Sequence, residues 1–457
     1  MSVALISRDA LRTRFSSLMS DMYRREVPAY GTLLDIVDSV NTQAGAAPVE
    51  SSAAGRLQLE RHGAIRLGTA DELNMMRRMF AQLGMEPVGY YDLTVAGIPV
   101  HSTAFRPVSP DALAANPFRV FTSLLRLDLI PSQTLRETAR ELLAARSIFT
   151  AAAMDLCERA EAQGGLDAED AERFVTELTQ TFQWHADAPV TARVYEALLT
   201  SHRLIADIVS FKGPHINHLT PRTLDIEIVQ ARMPQAGIEP KAVIEGPPAR
   251  QCPILLRQTS FKAIVEPVRF ADGVEGEHLA RFGEIEQRGV ALTPKGRALY
   301  DRLLDTVREV ITPAPDGSNA VQYRAHLDEV FSAFPDDWTA MREQGLAYFS
   351  FALSEAGKAA AAARHDPDLT LDTLIERGWV TASPIIYEDF LPVSAAGIFT
   401  SNLGDGDSAA QITRSNQVEF ETALGAKVAD PFALYAAMEA ESRNTCLNAF
   451  KTEIPAE

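Results

Sequence analysis

Four histidines (His62, His101, His215 and His218) and two glutamates (Glu284 and Glu286) have the types and positions to hold a metal ion. His62 stands in HGAIRLG, His218 in HINHLTPR, and both glutamates in RFGEIEQRG. Two imidazoles and one carboxylate make a facial triad, which leaves coordination positions open and suits non-haem Fe(II). Glu284 and Glu286 are two apart, so on a strand they share a face. Two carboxylates on one buried face repel unless a cation or a proton lies between them, so only one is expected to bind. Spacing leaves both glutamates open, and it leaves His215 as the rival of His218. His185, His202, His326 and His365 lie in helical or polar surroundings and read as surface or core residues. His278 follows Glu-Gly-Glu and reads as a strand entrance.

Arg66 follows His62 by four residues, an even spacing that puts both side chains on one strand face. A guanidinium beside a metal on an inward face calls for an anion, and a substrate carboxylate would supply it bidentately. The plainer alternative is a pair with an acidic neighbour such as Glu286. His101, in HSTAFR, is a candidate outer contact of the metal site or of the substrate.

The elements that must position these residues read as a repeat. LQLERHGAIRLG (57–68) alternates like a strand. Thr69 and Glu72 form a capping box for the helix LNMMRRMFAQL, which ends at Gly84. VGYYDLTV, a turn at Ala96-Gly97 and IPVHSTAFRPV follow as strand, turn and strand. The pattern returns from HLTPRTLD onward, with a helix ending near Gly237 and later strands in PILLRQTSFKAIVEPV and HLARFGEIEQRGVALT. The helix exits match, LGMEP at 83–87 and AGIEP at 236–240, each about twenty residues after His62 or His218. A lone strand histidine is more often a hydrogen-bonded core group; the repeat raises these two above that background. Folded face to face, the copies would bring His62 and His218 together across a pseudo-twofold axis.

The expected organisation is α+β. An N-terminal helical segment (1–56) precedes a first βαβββ module (57–108). A helical insertion (109–211) leads to a second βαβββ module (212–293). A helical segment (294–383) and a C-terminal lid and tail (384–457) follow. Helices would flank a central curved sheet that holds the metal. The stretch Leu391–Asn402 carries no charge, which predicts burial or a lid over a pocket.

Composition narrows the partners. The 457 residues carry a net charge of −18, and no Lys/Arg run offsets it, so nucleic acid is not an expected partner. No apolar run reaches the ~18 residues of a membrane span. The opening stretch MSVALISRDALRTRF lacks a signal-peptide core. Cys157, Cys252 and Cys446 are widely spaced and suit a reducing compartment. The expectation is a cytoplasmic protein.

HGAIR, FKGPHINHLTPRTLD, RFGEIEQRGVALTPKGRALYD and PIIYEDFLPVSAAGIF resemble signature stretches of the 2-oxoadipate dioxygenase/decarboxylase family, also called hydroxyglutarate synthases. The resemblance runs from about His62 to Leu403. It implies two vicinal-oxygen-chelate modules and a distant kinship with 4-hydroxyphenylpyruvate dioxygenase. It also implies an Fe(II) enzyme that turns 2-oxoadipate and O2 into 2-hydroxyglutarate and CO2 in lysine catabolism. By motif, the metal ligands would be His62, His218 and Glu286, and Arg66 would bind a substrate carboxylate. Val393 and Ser394, in LPVSAAG, would contact substrate, with Tyr387 a further candidate. No catalytic residue is implied beyond the metal and Arg66. On the residues alone, two other readings stay open. One is a non-redox metal-dependent lyase or isomerase of a 2-oxo or 2-hydroxy acid, with His101 or Glu284 as an extra ligand or base. The other is a non-catalytic protein that binds a small ligand in the same cleft.

Overall fold

The stretch RHGAIRL forms β1 (Arg61–Leu67), and its alternation sets two faces of the fold. Ile65 and Leu67 point into a core with Phe15, Met19, Met76 and Phe80 from flanking helices. His62, Ala64 and Arg66 point the other way and line a cavity. The computed structural model describes residues 4–44, 54–279, 281–314, 316–363, 366, 368–391 and 407–451.

β1 begins later than the alternation from Leu57 predicts. Ala54–Leu59 is a helix, closed by an Arg56–Glu60 pair at 3.2 Å, four residues apart. The next helix, Ala70–Gln82, follows the sequence reading. Thr69 accepts from the Glu72 amide, and Gly84 takes the left-handed conformation (φ 67°) that ends it. Glu72 turns its carboxylate to the Gly68 amide at 2.7 Å. β2 (Glu86–Asp92) and β3 (Val100–Arg106) come next.

A fourth strand, β4 (Arg119–Leu125), corrects the helical reading of 109–211 and the module boundary at 108. Every residue of RVFTSLL is buried, so the period-two signal is absent from its sequence. β4 lies between β3 and β1 and runs parallel to β1, pairing His62 with Arg119 and Arg66 with Ser123. Beyond residue 126 the insertion is helical, as expected.

β5 (Leu219–Pro221) pairs antiparallel with β1, His62 opposite Thr220. The helix Ile226–Arg232 and a short turn end at Gly237, again left-handed (φ 76°). Residues 240–245 then pair with β6 (Leu256–Ser260) through Pro240–Phe261 and Glu245–Gln258 bridges. β7 (Val265–Arg269) and β8 (Glu275–Leu279) form a hairpin inserted before β9 (Glu284–Arg288). β9 is antiparallel to β6 and meets β5 in parallel at Arg222–Glu286. The strands thus run β2-β3-β4-β1 and, across the β1/β5 seam, β5-β9-β6-(240–245), the same order reflected.

The segment 294–383, read as helical, also contains β10 (Phe349–Leu353), paired with β11 (Val380–Pro384) at its end. The two strands lie over a second core built on Tyr300, Leu304 and Phe331. No described helix is long and apolar enough to cross a membrane. Cys157, Cys252 and Cys446 are buried and unpaired.

Candidate metal centre and substrate cavity

The seam between β1 and β5 collects the chemistry. His62 is the second residue of β1, His218 immediately precedes β5, and Glu284 opens β9. Nε2 of His62 lies 3.1 Å from Oε1 of Glu284, and Nε2 of His218 lies 3.8 Å from the same oxygen. Donor atoms of the three residues all fall within 4.8 Å of one another, the only such group among the described residues. The imidazoles meet edge to face at 5.4 Å, with Phe390 against His62 and Phe282 against His218.

Burial pushes both imidazoles down to about 3, for His62 against a contact with Glu284 that works the other way. Each is therefore neutral at pH 7, the form that binds metal. Thr220 donates its hydroxyl to Oε1 of Glu284 at 3.2 Å. Nδ1 of His218 is buried with no hydrogen-bond partner. Two neutral nitrogens and a carboxylate oxygen, converging at the wall of a cavity, fit a divalent cation.

Glu284 meets both histidines in this group, whereas Glu286, the expected ligand, lies against His62 from the other ring nitrogen. Both glutamates share a face, but Glu286 sits deeper and is fully buried among arginines. Its Oε2 accepts from Arg119 at 2.7 Å and its Oε1 from Arg288 at 2.8 Å. Burial pushes its carboxyl up to about 7, while Arg119 pulls it down. Oε2 also lies 3.1 Å from Nδ1 of His62, outside hydrogen-bond geometry. Glu286 thus backs His62 on the side away from Glu284. The ion network runs on through Arg288 to Glu60 (2.7 Å) and Glu388, and through Arg222 to Glu60 (3.2 Å).

The cavity beside the three residues has a volume of about 470 Å³. Arg66, Arg203 and Lys241 give it cationic walls, and Phe121 and Phe390 give it apolar ones. Arg66 pairs with an acid, as the plainer reading allowed, but the acid is Asp207 at 2.6 Å rather than Glu286. His215, the rival of His218, lies instead 3.2 Å from Asp207 and edge-on to Trp184. His101 is on the face of β3 turned away from the cavity. Its register partner is Leu124 of the helix-packed core, and its ring lies 4.8 Å from Phe420. This corrects its reading as a site contact. Tyr387 is buried and donates to the Phe390 carbonyl at 2.9 Å; its neighbour Phe390, not Tyr387, lines the cavity. Val393 and Ser394 lie outside the described residues.

Sequence reasoning missed Arg119, Asp207 and the role of His278, which sits within β8 and holds Asp207. It also set aside His202, which lines the cavity. One signal was available: the spacing His62-x-x-x-Arg66 recurs as His218-x-x-x-Arg222, one copy on each side of the seam. Nothing comparable marks Asp207, which approaches from an insertion.

The family model described as 2-oxoadipate dioxygenase/decarboxylase matches residues 15–402. The chain is 56% identical to the 2-oxoadipate dioxygenase/decarboxylase of Pseudomonas putida, covering 97% of each chain. It is 54% identical to that of Escherichia coli K12, covering 96% of this chain and 98% of the other. The crystal structure of the Pseudomonas putida hydroxyglutarate synthase in complex with 2-oxoadipate superposes with a TM-score of 0.91. The identity is 55%, over 98% of this chain and 99% of that one.

Proposed function

The chain belongs to the 2-oxoadipate dioxygenase/decarboxylase family, and from that premise we propose that it converts 2-oxoadipate and O2 into 2-hydroxyglutarate and CO2 at the β1/β5 seam. The observation that carries this reading is the group His62, His218 and Glu284 opening onto a cavity whose cationic wall suits a dicarboxylate. The proposed metal is Fe(II), held by those three side chains. Bound there, iron would chelate the 2-oxo acid and activate O2.

The protein's own residues do the rest. His62 and His218 present neutral nitrogens because burial keeps them unprotonated. Thr220 orients Glu284 through its hydroxyl. Arg66, on the same strand face as His62, takes the substrate carboxylate far from the metal and fixes the carbon chain. A misplacement of about 1 Å can cost ~10²-fold in rate, so this orientation is a large share of what the protein contributes. Phe121 and Phe390 keep the cavity wall apolar beside the reacting carbons. The motif LPVSAAG supports assigning Val393 and Ser394 to the same substrate. The reflected strand order of the two halves supports reading them as diverged vicinal-oxygen-chelate modules.

The test is stoichiometry. Metal-free protein reloaded with Fe(II) should consume O2 and release CO2 in equal amounts from 2-oxoadipate. Under anaerobic conditions the same mixture should show the charge-transfer absorption of a chelated 2-oxo acid. Turnover that continues without O2 would overturn the assignment.

A further inference from the structure

Arg66 is about one quarter exposed to the cavity (23%), yet its hold lies behind it. Nη1 donates to Oδ2 of Asp207 at 2.6 Å, and no other protein acceptor among the described residues engages the guanidinium. Asp207 is buried, on the helix Arg203–Val209, and is fixed from three further elements. Nε2 of His278, on β8, donates to its Oδ1 at 2.9 Å. Nδ1 of His278 then accepts from the Tyr195 hydroxyl, 2.8 Å away on the helix Ala192–Ser201. Nε2 of His215, from the loop before β5, lies 3.2 Å from the same Oδ1. Burial raises the Asp207 carboxyl, but Arg66 and the two histidines hold it well below the usual range, so it stays ionised.

A guanidinium offers a carboxylate two bidentate edges. Asp207 occupies Nη1, which leaves the edge formed by Nε and Nη2 for a ligand in the cavity. We propose that Asp207 is a positioning residue that selects this edge of Arg66, and so sets the preference for 2-oxo acids that carry a second carboxylate. The inference rests on the reading of Arg66 as the group that takes the substrate's far carboxylate. Asp207 itself touches no substrate. It acts through Arg66, with Tyr195 and His278 locking its orientation from behind.

The test compares 2-oxoadipate with 2-oxohexanoate, which has the same chain length and no second carboxylate. In Asp207→Asn the charge is lost and an amide N–H can face the guanidinium. The ratio of kcat/KM values, 2-oxoadipate over 2-oxohexanoate, should fall by roughly tenfold or more, mainly through KM for 2-oxoadipate. The value for 2-oxohexanoate should stay within about twofold, which a general loss of folding would not allow. Arg66→Ala should collapse the ratio, and adding Asp207→Asn to it should lower the ratio no further. An unchanged ratio in folded Asp207→Asn overturns the inference. If Arg66→Ala collapses the ratio and Asp207→Asn does not, the reading of Arg66 survives and the role of Asp207 falls. If Arg66→Ala leaves the ratio intact, both fall. Should Asp207→Asn fail to fold, Tyr195→Phe carries the test one bond further back. It should lower the ratio by about threefold, and no change there overturns the proposal.

Discussion

His62 turns Nε2 to Glu284 at 3.1 Å and leaves Nδ1 toward Glu286. This orientation divides the two glutamates of β9 into different jobs. Glu284→Gln should leave the purified protein with little bound iron, because the proposed carboxylate ligand is removed. Glu286→Gln should still bind iron, with affinity weakened by about 10–100-fold, as expected for a group that supports a ligand from behind. Anaerobic metal titration of both variants decides the matter, with circular dichroism to confirm folding. Retention of iron by Glu284→Gln and its loss from Glu286→Gln would reverse the assignment.

Phe390 is held against His62 by charges behind it. Asp389 accepts from Nε and Nη2 of Arg106 at 2.7 and 3.1 Å, and from the Tyr435 hydroxyl at 2.6 Å. Arg106 and Asp389 are both buried. Removing one partner strands the other charge, which costs about 3–5 kcal/mol. Arg106→Met should therefore lower the urea midpoint strongly, and the paired change Arg106→Met/Asp389→Leu should recover much of the loss. A midpoint that stays put in Arg106→Met would mean the pair stabilises nothing.

His101 gives the metal-free protein one source of acid sensitivity. Burial, helped by Arg126, pushes its imidazole down to about 4. Between its unfolded value near 6.5 and about 4, the unfolded chain holds a proton that the native chain refuses. Its contribution to stability is complete above about pH 6.5 and is lost as pH falls through that window, by up to ~1.4 kcal/mol per pH unit. His62 and His218 act in the same direction, so the measurement is a difference. His101→Gln should show a shallower loss of stability from pH 6.5 to 4 than the parent, by about one proton. Parallel curves would show that His101 is not the group responsible.

The sequence showed the inner machinery better than its supports. The strand–helix–strand–strand order of residues 57–108, the cap at Thr69 and the paired glycines at Gly84 and Gly237 were legible because each leaves a local mark. His62 and His218 were legible because the repeat ties them together. β4 was not, since a strand buried on both faces does not alternate. Glu284 and Glu286 could not be separated by a period-two argument, which places them on the same face; they differ in depth along β9, and only tertiary packing sets depth. Asp207 was hidden for a related reason. It reaches Arg66 from a helix 141 residues away, through a contact that no spacing encodes.

Gly63 sets how closely the two halves approach. It lies on β1 between His62 and Ala64, opposite Leu219 of β5. A Cβ placed there would come within 2.4 Å of Cδ1 of Ile216 and 3.1 Å of the His218 carbonyl oxygen. Ile216 is fully buried, so its tip cannot swing aside freely. Gly63→Ala should push Ile216, and with it His218 two residues on, away from β1. Overpacking of this kind costs about 1–3 kcal/mol in stability. Iron affinity should fall as well, because His218 moves relative to His62 and Glu284. Shortening the obstructing side chain should relieve both effects, so Gly63→Ala/Ile216→Val should bind iron more tightly than Gly63→Ala alone. That coupling between neighbours is what a double-mutant cycle reads. If Gly63→Ala binds iron as the parent does, the metal site tolerates a wider seam, and close approach of β1 and β5 is not what brings the two histidines together.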